Sequence, residues 1–517
     1  MRRPAQTDIV TSCEVEVSEG QLRGIRERGV RAWRGIPYAA APVRELRFRA
    51  PRPPEPWNGV RDASEWGPVA PQSHRGQFIG AHPGIPQSEN CLNLNVIAPD
   101  APGATLRPVM VFIHGGAYSV GSSREVPRQG EGLVRRGGIV YVSLNYRLGA
   151  LGYLDFTRYS TAERPIESNL GLRDQVAALV WIRRNIEVFG GDPDAVTLFG
   201  ESAGGNAVTT LMTVPAAAGL FHRAIAQSAP PNAVYPPHLT AIWAEEFVND
   251  LAAAAGEAVP AASESAVRLL LEAHTPALAA ATTALTRRTP DEHPGTIPLC
   301  PVIDGDFLPE RPLDAFRDGR AHRVPLIIGT NAREGSLFSG RIDILATTPT
   351  RMRAVFRKTK KKARKALKAQ YPGIPALRPA LDFGGDYSFW YPSVKVGERH
   401  SRYAPVYFYR FDAAPRLVRL MGLDATHGLE LFPLFDRLDG WFGRGMTVLG
   451  GRRAFQRIGA RMQRWWLSFA ATGVPDAAWP RYREETRATL IIDADDRVEQ
   501  DPRGARRLAW GAFVPHL

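Results

Sequence analysis

The stretch TLFGESAGGNAVT, residues 197–209, sets a serine between two glycines where an apolar, β-branched run gives way to helix-compatible sequence. Gly and Ser are common in any turn, so Gly-x-Ser-x-Gly alone is weak evidence. Its neighbours give it weight. From about 108 to 228, short apolar runs alternate with helical stretches: PVMVFIHGG, IVYVSLNY, the helix-like LGLRDQVAALVWIRRNIEVF, AVTLFGES and FHRAIAQSA. That βαβ rhythm predicts a mostly parallel sheet with helices on both faces. VPLIIGTN at 324–331 and PVYFYRF at 405–411 extend it, separated by Ala-rich helical sequence at 241–285 and by a basic helix. No internal repeat or long flexible linker interrupts 1–517, which reads as one α/β domain with helical insertions at about 236–320 and 340–400 capping the strands' carboxyl ends.

In open α/β sheets ligands bind beyond the carboxyl ends of the strands, so chemistry is sought in the residues that follow strands. Ser202 follows AVTLF. A serine hydroxyl needs a base to take its proton, and a sharp strand-to-helix turn pushes it out of the sheet against a helix amino terminus. Gly200 and Gly204 let the backbone tighten there. This is the nucleophile elbow of α/β-hydrolases, in which an acid and then a histidine follow the serine along the chain. Glu334, directly after PLIIGTN, is the expected acid. Asp304 and Asp306 are rivals by position, but VIDGDFLP reads as a turn with solvated carboxylates. Of the histidines after Glu334, His516 is penultimate and His400 lies in a helical stretch, whereas His427 in DATHGLELF occupies the loop after PVYFYRF. His427 is the expected base. The small-residue turn in FIHGGAYSVGSS puts the N–H groups of Gly116 and Ala117, beside Gly115, where they can meet a developing oxyanion, and Ala203 adds one from the helix start. Glu201 is placed with Gly115 among the supporting residues.

The composition, 44% hydrophobic and 23% charged over 517 residues, suits a soluble globular protein. The net charge of +13 invites a nucleic-acid or anionic-membrane partner, but ten of the Lys and Arg lie in RMRAVFRKTKKKARKALK, 351–368, and the rest of the chain is nearly neutral. That segment reads as a surface helix burying a stripe of Val355, Phe356, Ala363, Ala366 and Leu367. No nucleic acid is therefore expected; strongly salt-dependent binding through 351–368 would be the sign of one. Cys13, Cys91 and Cys300 form neither a metal-ligand pattern nor a disulfide framework. No run approaches membrane-spanning length and MRRPAQTDIVTSCEVE lacks an apolar core, so no membrane insertion is expected and the default location is cytoplasmic, with secretion left open.

Taken with WRGIPYAAAPVRELRF at 33–48, SENCLNLNV at 88–96, HGGAYSVGS at 114–122, NYRLGALGYL at 145–154 and FGGDPDAVTLFGESAGG at 189–205, the chain strongly resembles the type-B carboxylesterases. These include para-nitrobenzyl esterases and cholinesterases. The resemblance implies a Ser202–Glu334–His427 triad, oxyanion donors at Gly116, Ala117 and Ala203, and a supporting Ser228. It also implies structural ion pairs Arg47–Glu89 and Arg147–Asp174. Secreted relatives bridge Cys91 to a cysteine where this chain has Ala70, and cholinesterases carry a tryptophan shortly before SENCL where GQFIGAHPGIPQSEN has none, so choline esters are not expected. The expected activity is hydrolysis of small to medium carboxylic esters through an acyl-enzyme, without metal or organic cofactor, by a monomer or weak homo-oligomer. The alternative is a catalytically silent adhesion or scaffold protein of this fold; such relatives typically lack a triad member.

Overall fold

The computed structural model describes residues 11–73, 80–101, 103–125, 129–260, 262–357 and 359–513, the Arg341 side chain excepted. His516, Lys358, most of the amino-terminal segment and the first part of GQFIGAHPGIPQSEN lie outside them. One 13-stranded sheet runs through the molecule. Its strands are β1 (Thr11–Val17), β2 (Gly20–Glu27), β3 (Val30–Pro37), β4 (Val60–Asp62), β5 (Asn93–Pro99), β6 (Arg107–Ile113) and β7 (Val140–Leu144). They continue as β8 (Gly191–Glu201), β9 (Arg223–Gln227), β10 (Leu326–Asn331), β11 (Val406–Phe411), β12 (Ala488–Ile492) and β13 (Arg497–Gln500). The order is β1-β2-β3-β5-β7-β6-β8-β9-β10-β11-β12-β13, with β4 beside β2. From β7 to β12 every pairing is parallel; the pairings at both margins are antiparallel except that of β4, which runs parallel to β2.

The parallel strands are continuous apolar runs because both of their faces are covered. Successive side chains go to opposite cores: Val109, Val111 and Ile113 of β6 pack on one side, Met110 and Phe112 on the other. Helices Leu170–Asn185 and Ala203–Leu211 cover the first side, and Arg452–Thr472 covers the second. The arrangement is that of an α/β-hydrolase.

One expectation needs correction. The basic segment is two helices, Pro349–Arg357 and Lys361–Lys368, each burying its own stripe: Met352 with Phe356, and Ala363 with Leu367. The break between them resets the helical phase, so Ala366 is exposed and Val355 only half-buried. Nor are all the cations solvated: Arg351 is buried and bonds Asp291 at 2.7 Å and Asp343 at 2.9 Å. PVYFYRF forms β11, and β12 lies parallel to it on the far side from β10.

Candidate active site

Five neighbouring strands, β6, β8, β9, β10 and β11, release the chain at the same edge of the sheet. In that order they lead into Gly115–Ala117, Ser202, Ser228, Glu334 and His427, so residues scattered over half the chain meet along one line. Pairing of Ile113 with Gly200 sets the Gly115 loop beside the serine turn.

Ser202 holds φ 59° and ψ −123°, a strained conformation for any residue with a side chain. Its N–H donates to Gln227 O at 2.9 Å and its carbonyl accepts from Asn206 N at 2.9 Å, which locks strand into helix. A side chain at Gly200 would put its Cβ 2.6 Å from the Gly204 backbone, and one at Gly204 would strike Ile113 O. The glycines are thus required by close packing. Ser202 itself stays partly accessible.

The loop after β6 turns through positive φ at Gly116 (113°), Ala117 (52°) and Tyr118 (54°). Tyr118 donates to Asn206 Oδ1 at 2.6 Å, tying this loop to the helix behind Ser202. Among the described residues no acceptor takes the N–H of Gly116 or Ala117. Ala203, first in its helix, has no intrahelical acceptor for its own N–H. A Cβ on Gly115 would lie 3.0 Å from Ser202 Cβ and 2.9 Å from Glu201 Oε2, so this glycine clears the space beside both.

Glu334 and His427 are both buried, and His427 Nδ1 lies 2.5 Å from Glu334 Oε2. The other carboxylate oxygen accepts from Ser228 Oγ and Asn331 N, each at 2.6 Å. Arg333 sews the two loops together: its N–H donates to Ala425 O at 3.0 Å and its guanidinium bonds Gly422 O, Asp424 and Asp382. Phe338 and Phe389 close over the imidazole, with ring centroids 5.1 and 4.6 Å away. Phe389 comes from a single π-helical turn, Asp386–Trp390.

The far nitrogen, His427 Nε2, lies 3.2 Å from Glu201 Oε1 but has no hydrogen-bond partner among the described residues. Ser202 Oγ therefore does not bond it in this arrangement. Residues that sequence reasoning does not single out complete the surroundings. Glu430 is fully buried and accepts from Asn331 Nδ2 at 2.6 Å and Gln227 Nε2 at 3.3 Å. Burial opposes charge on His427, but the nearby Glu201, Glu334 and Glu430 outweigh it and hold the imidazole up at about 9. Burial, reinforced by Glu201 and Glu334, pushes the Glu430 carboxyl up to about 8.

The rivals have other work. Asp304 accepts from Ser168, Asn169 and the N–H groups of Asp306 and Leu308, organising a turn. His400 is buried against Val324 O at 2.8 Å. Arg47 grips Glu89 through two nitrogens at 2.8 and 2.5 Å, and Arg147 grips Asp174 at 2.8 and 2.6 Å. The three cysteines are buried and free.

A serine on a strained strand-to-helix turn, at the carboxyl edge of a mostly parallel sheet, defines a hydrolase of the α/β class. The chain belongs to the carboxylesterase family, whose model matches residues 11–510, and is a carboxylic ester hydrolase. It is 37% identical over 496 residues to the para-nitrobenzyl esterase of Bacillus subtilis, covering 95% of this chain and 97% of that protein. It is 31% identical to the phenmedipham hydrolase of Pseudarthrobacter oxydans, covering 95% and 98%. A solved PNB esterase superposes with a TM-score of 0.85 at 36% identity, over 98% of this chain and all of that one. A carboxylesterase of Geobacillus stearothermophilus gives 0.80 at 33% identity, over 96% and 99%.

Proposed function

We propose that the protein hydrolyses small to medium carboxylic esters through an acyl-enzyme formed on Ser202. His427 takes the Ser202 proton as the hydroxyl attacks the ester carbonyl, then gives it to the leaving alkoxide; water repeats the cycle on the acyl group. Glu334 orients the ring and stabilises its charged form. The N–H groups of Gly116, Ala117 and Ala203 take up the negative oxygen of the tetrahedral intermediate, a contribution of about 3 kcal/mol per donor. Ser228 fixes the carboxylate from behind. The observation that carries this reading is the 2.5 Å contact between His427 Nδ1 and Glu334 Oε2 beside a strained serine turn. The open Ser202–His427 link agrees with apo enzymes, where such bonds tighten only when substrate binds.

The insertions at about 236–320 and 340–400 are read as a cap within a single catalytic domain. Supporting this, helix Leu377–Gly385 packs on the Glu334–Leu337 turn, and Phe389 reaches the His427 ring. The apolar wall of Phe338 and Phe389 favours uncharged esters over charged ones.

The test is covalent labelling with an aryl organophosphonate, followed by intact mass and by turnover of aryl and alkyl esters of graded acyl length. Wild type should gain one adduct and lose activity, while Ser202→Ala should take no label and hydrolyse at least about 10⁴-fold more slowly. Turnover by Ser202→Ala near the wild-type rate would overturn the assignment.

A further inference from the structure

The chain between Pro415 and Gly451 leaves much apolar surface in water. Helix Arg416–Leu420 packs against helix Trp441–Met446. These helices and the turns that follow them expose Leu420, Met421, Trp441, Phe442, Val448 and Leu449. Trp441 is 86% exposed and Leu420 76%. The surface is nonetheless anchored: Val418 and Met446 are buried beneath it, and Phe442 stacks on Phe432 with centroids 5.2 Å apart. Scattered exposed hydrophobes are ordinary, but six on two adjacent short helices and their turns, two of them aromatic, mark a contact surface.

Charge decides what covers it. Arg416, Arg444 and Arg453 stand exposed around the patch and Arg419 is paired with Asp493 at 4.0 Å, while of the two exposed acids between Pro415 and Gly451, Asp436 and Asp439, the second is already held by Arg452. A second copy docking on the same face would bring arginine against arginine, in a chain that carries +13 overall. An anionic bilayer satisfies both components. Its headgroups take the guanidinium groups, and tryptophan, phenylalanine and leucine settle at the boundary between headgroups and acyl chains. No helix among the described residues is long and apolar enough to cross a membrane, so the attachment is to one surface.

We propose that this arginine-collared apolar patch docks the protein on membranes rich in anionic phospholipid. The test is co-sedimentation of the full chain with vesicles of phosphatidylcholine alone or mixed with phosphatidylglycerol. Wild type should bind the mixed vesicles, and less so at high salt. The variant Leu420→Ser/Trp441→Ser/Phe442→Ser should bind them at least about tenfold more weakly, while hydrolysing a soluble aryl ester at the wild-type rate. A second variant, Arg416→Gln/Arg444→Gln/Arg453→Gln, should lose the preference for phosphatidylglycerol. Equal binding by wild type and the serine variant would mean adsorption through other cations, such as those of Lys361–Lys368, and would sink the proposal. So would failure of wild type to bind, or light scattering that shows a wild-type dimer converted by the serine variant to monomer.

Discussion

Two buried ionic clusters teach opposite lessons. Arg147 and Asp174, 3% and 0% exposed, are matched one to one: two nitrogens meet the carboxylate and a third donates to Arg49 O at 2.8 Å. His427 is also buried but faces Glu201, Glu334 and Glu430, with Nδ1 bonded and Nε2 left without a hydrogen-bond partner. In the first cluster the charges cancel and each guanidinium nitrogen and each carboxylate oxygen has a partner, which is how a structural pair survives burial. In the second, three acids surround one imidazole, and the ring nitrogen 3.2 Å from Glu201, the residue before Ser202, is left without a hydrogen-bond partner. Burial is common to both; what separates the fastening from the proposed reactive centre is the imbalance.

The contrast breaks most forcefully at Arg147. Arg147→Met strands the Asp174 carboxylate in the core, and we expect a loss of about 3–5 kcal/mol in unfolding free energy by urea titration. The double variant Arg147→Met/Asp174→Leu should recover a large part of that loss, because no charge is then left behind. Turnover per folded molecule should change little in either. A double variant no more stable than Arg147→Met would show that the pair contributes something other than charge compensation.

The fastening is legible in the sequence only through the family resemblance, whereas part of the centre can be read from the residues themselves. The proposed triad of Ser202, Glu334 and His427 is legible because each follows an apolar run at a turn, and chain order separates the proposed acid from the proposed base. That β6, β8, β9, β10 and β11 lie side by side is a fact of topology, and no local pattern carries it. Glu430, Asn331 and Gln227 sit inside the very strings HGLELF, GTNAREGS and AIAQSA, yet a glutamate three residues past a histidine looks like any surface acid until its burial is known. The basic segment misleads for a related reason: a periodicity taken across Lys358–Lys360 assumes one helix axis where there are two.

The imbalance at His427 makes a smaller but sharper prediction. On the proposed mechanism only the neutral imidazole accepts the Ser202 proton, so the rate should fall as pH drops through the raised value near 9 rather than through the ordinary 6.5. Glu201→Gln removes one of the charges that favour the protonated ring. The acid limb of kcat/KM should therefore move to lower pH by about one unit or more, with activity retained further into the acid range. An unmoved limb would mean that Glu201 does not govern the proton on His427.

Glu430 offers the control with the smallest effect. Its carboxyl is pushed from 4.5 up to about 8, so below that pH it is already mostly neutral and contributes little charge to the field at His427. Glu430→Gln keeps the shape and an acceptor for Asn331, while replacing a neutral acid by a neutral amide. Between pH 6 and 7.5 or so its rate profile should follow wild type, and the two should separate only as Glu430 ionises in wild type, above about 8. There the wild-type imidazole gains a third carboxylate that holds its proton and the variant does not, so the variant should reach its plateau at lower pH. A limb displaced as far as in Glu201→Gln would show that Glu430 is already ionised beside the ring at neutral pH.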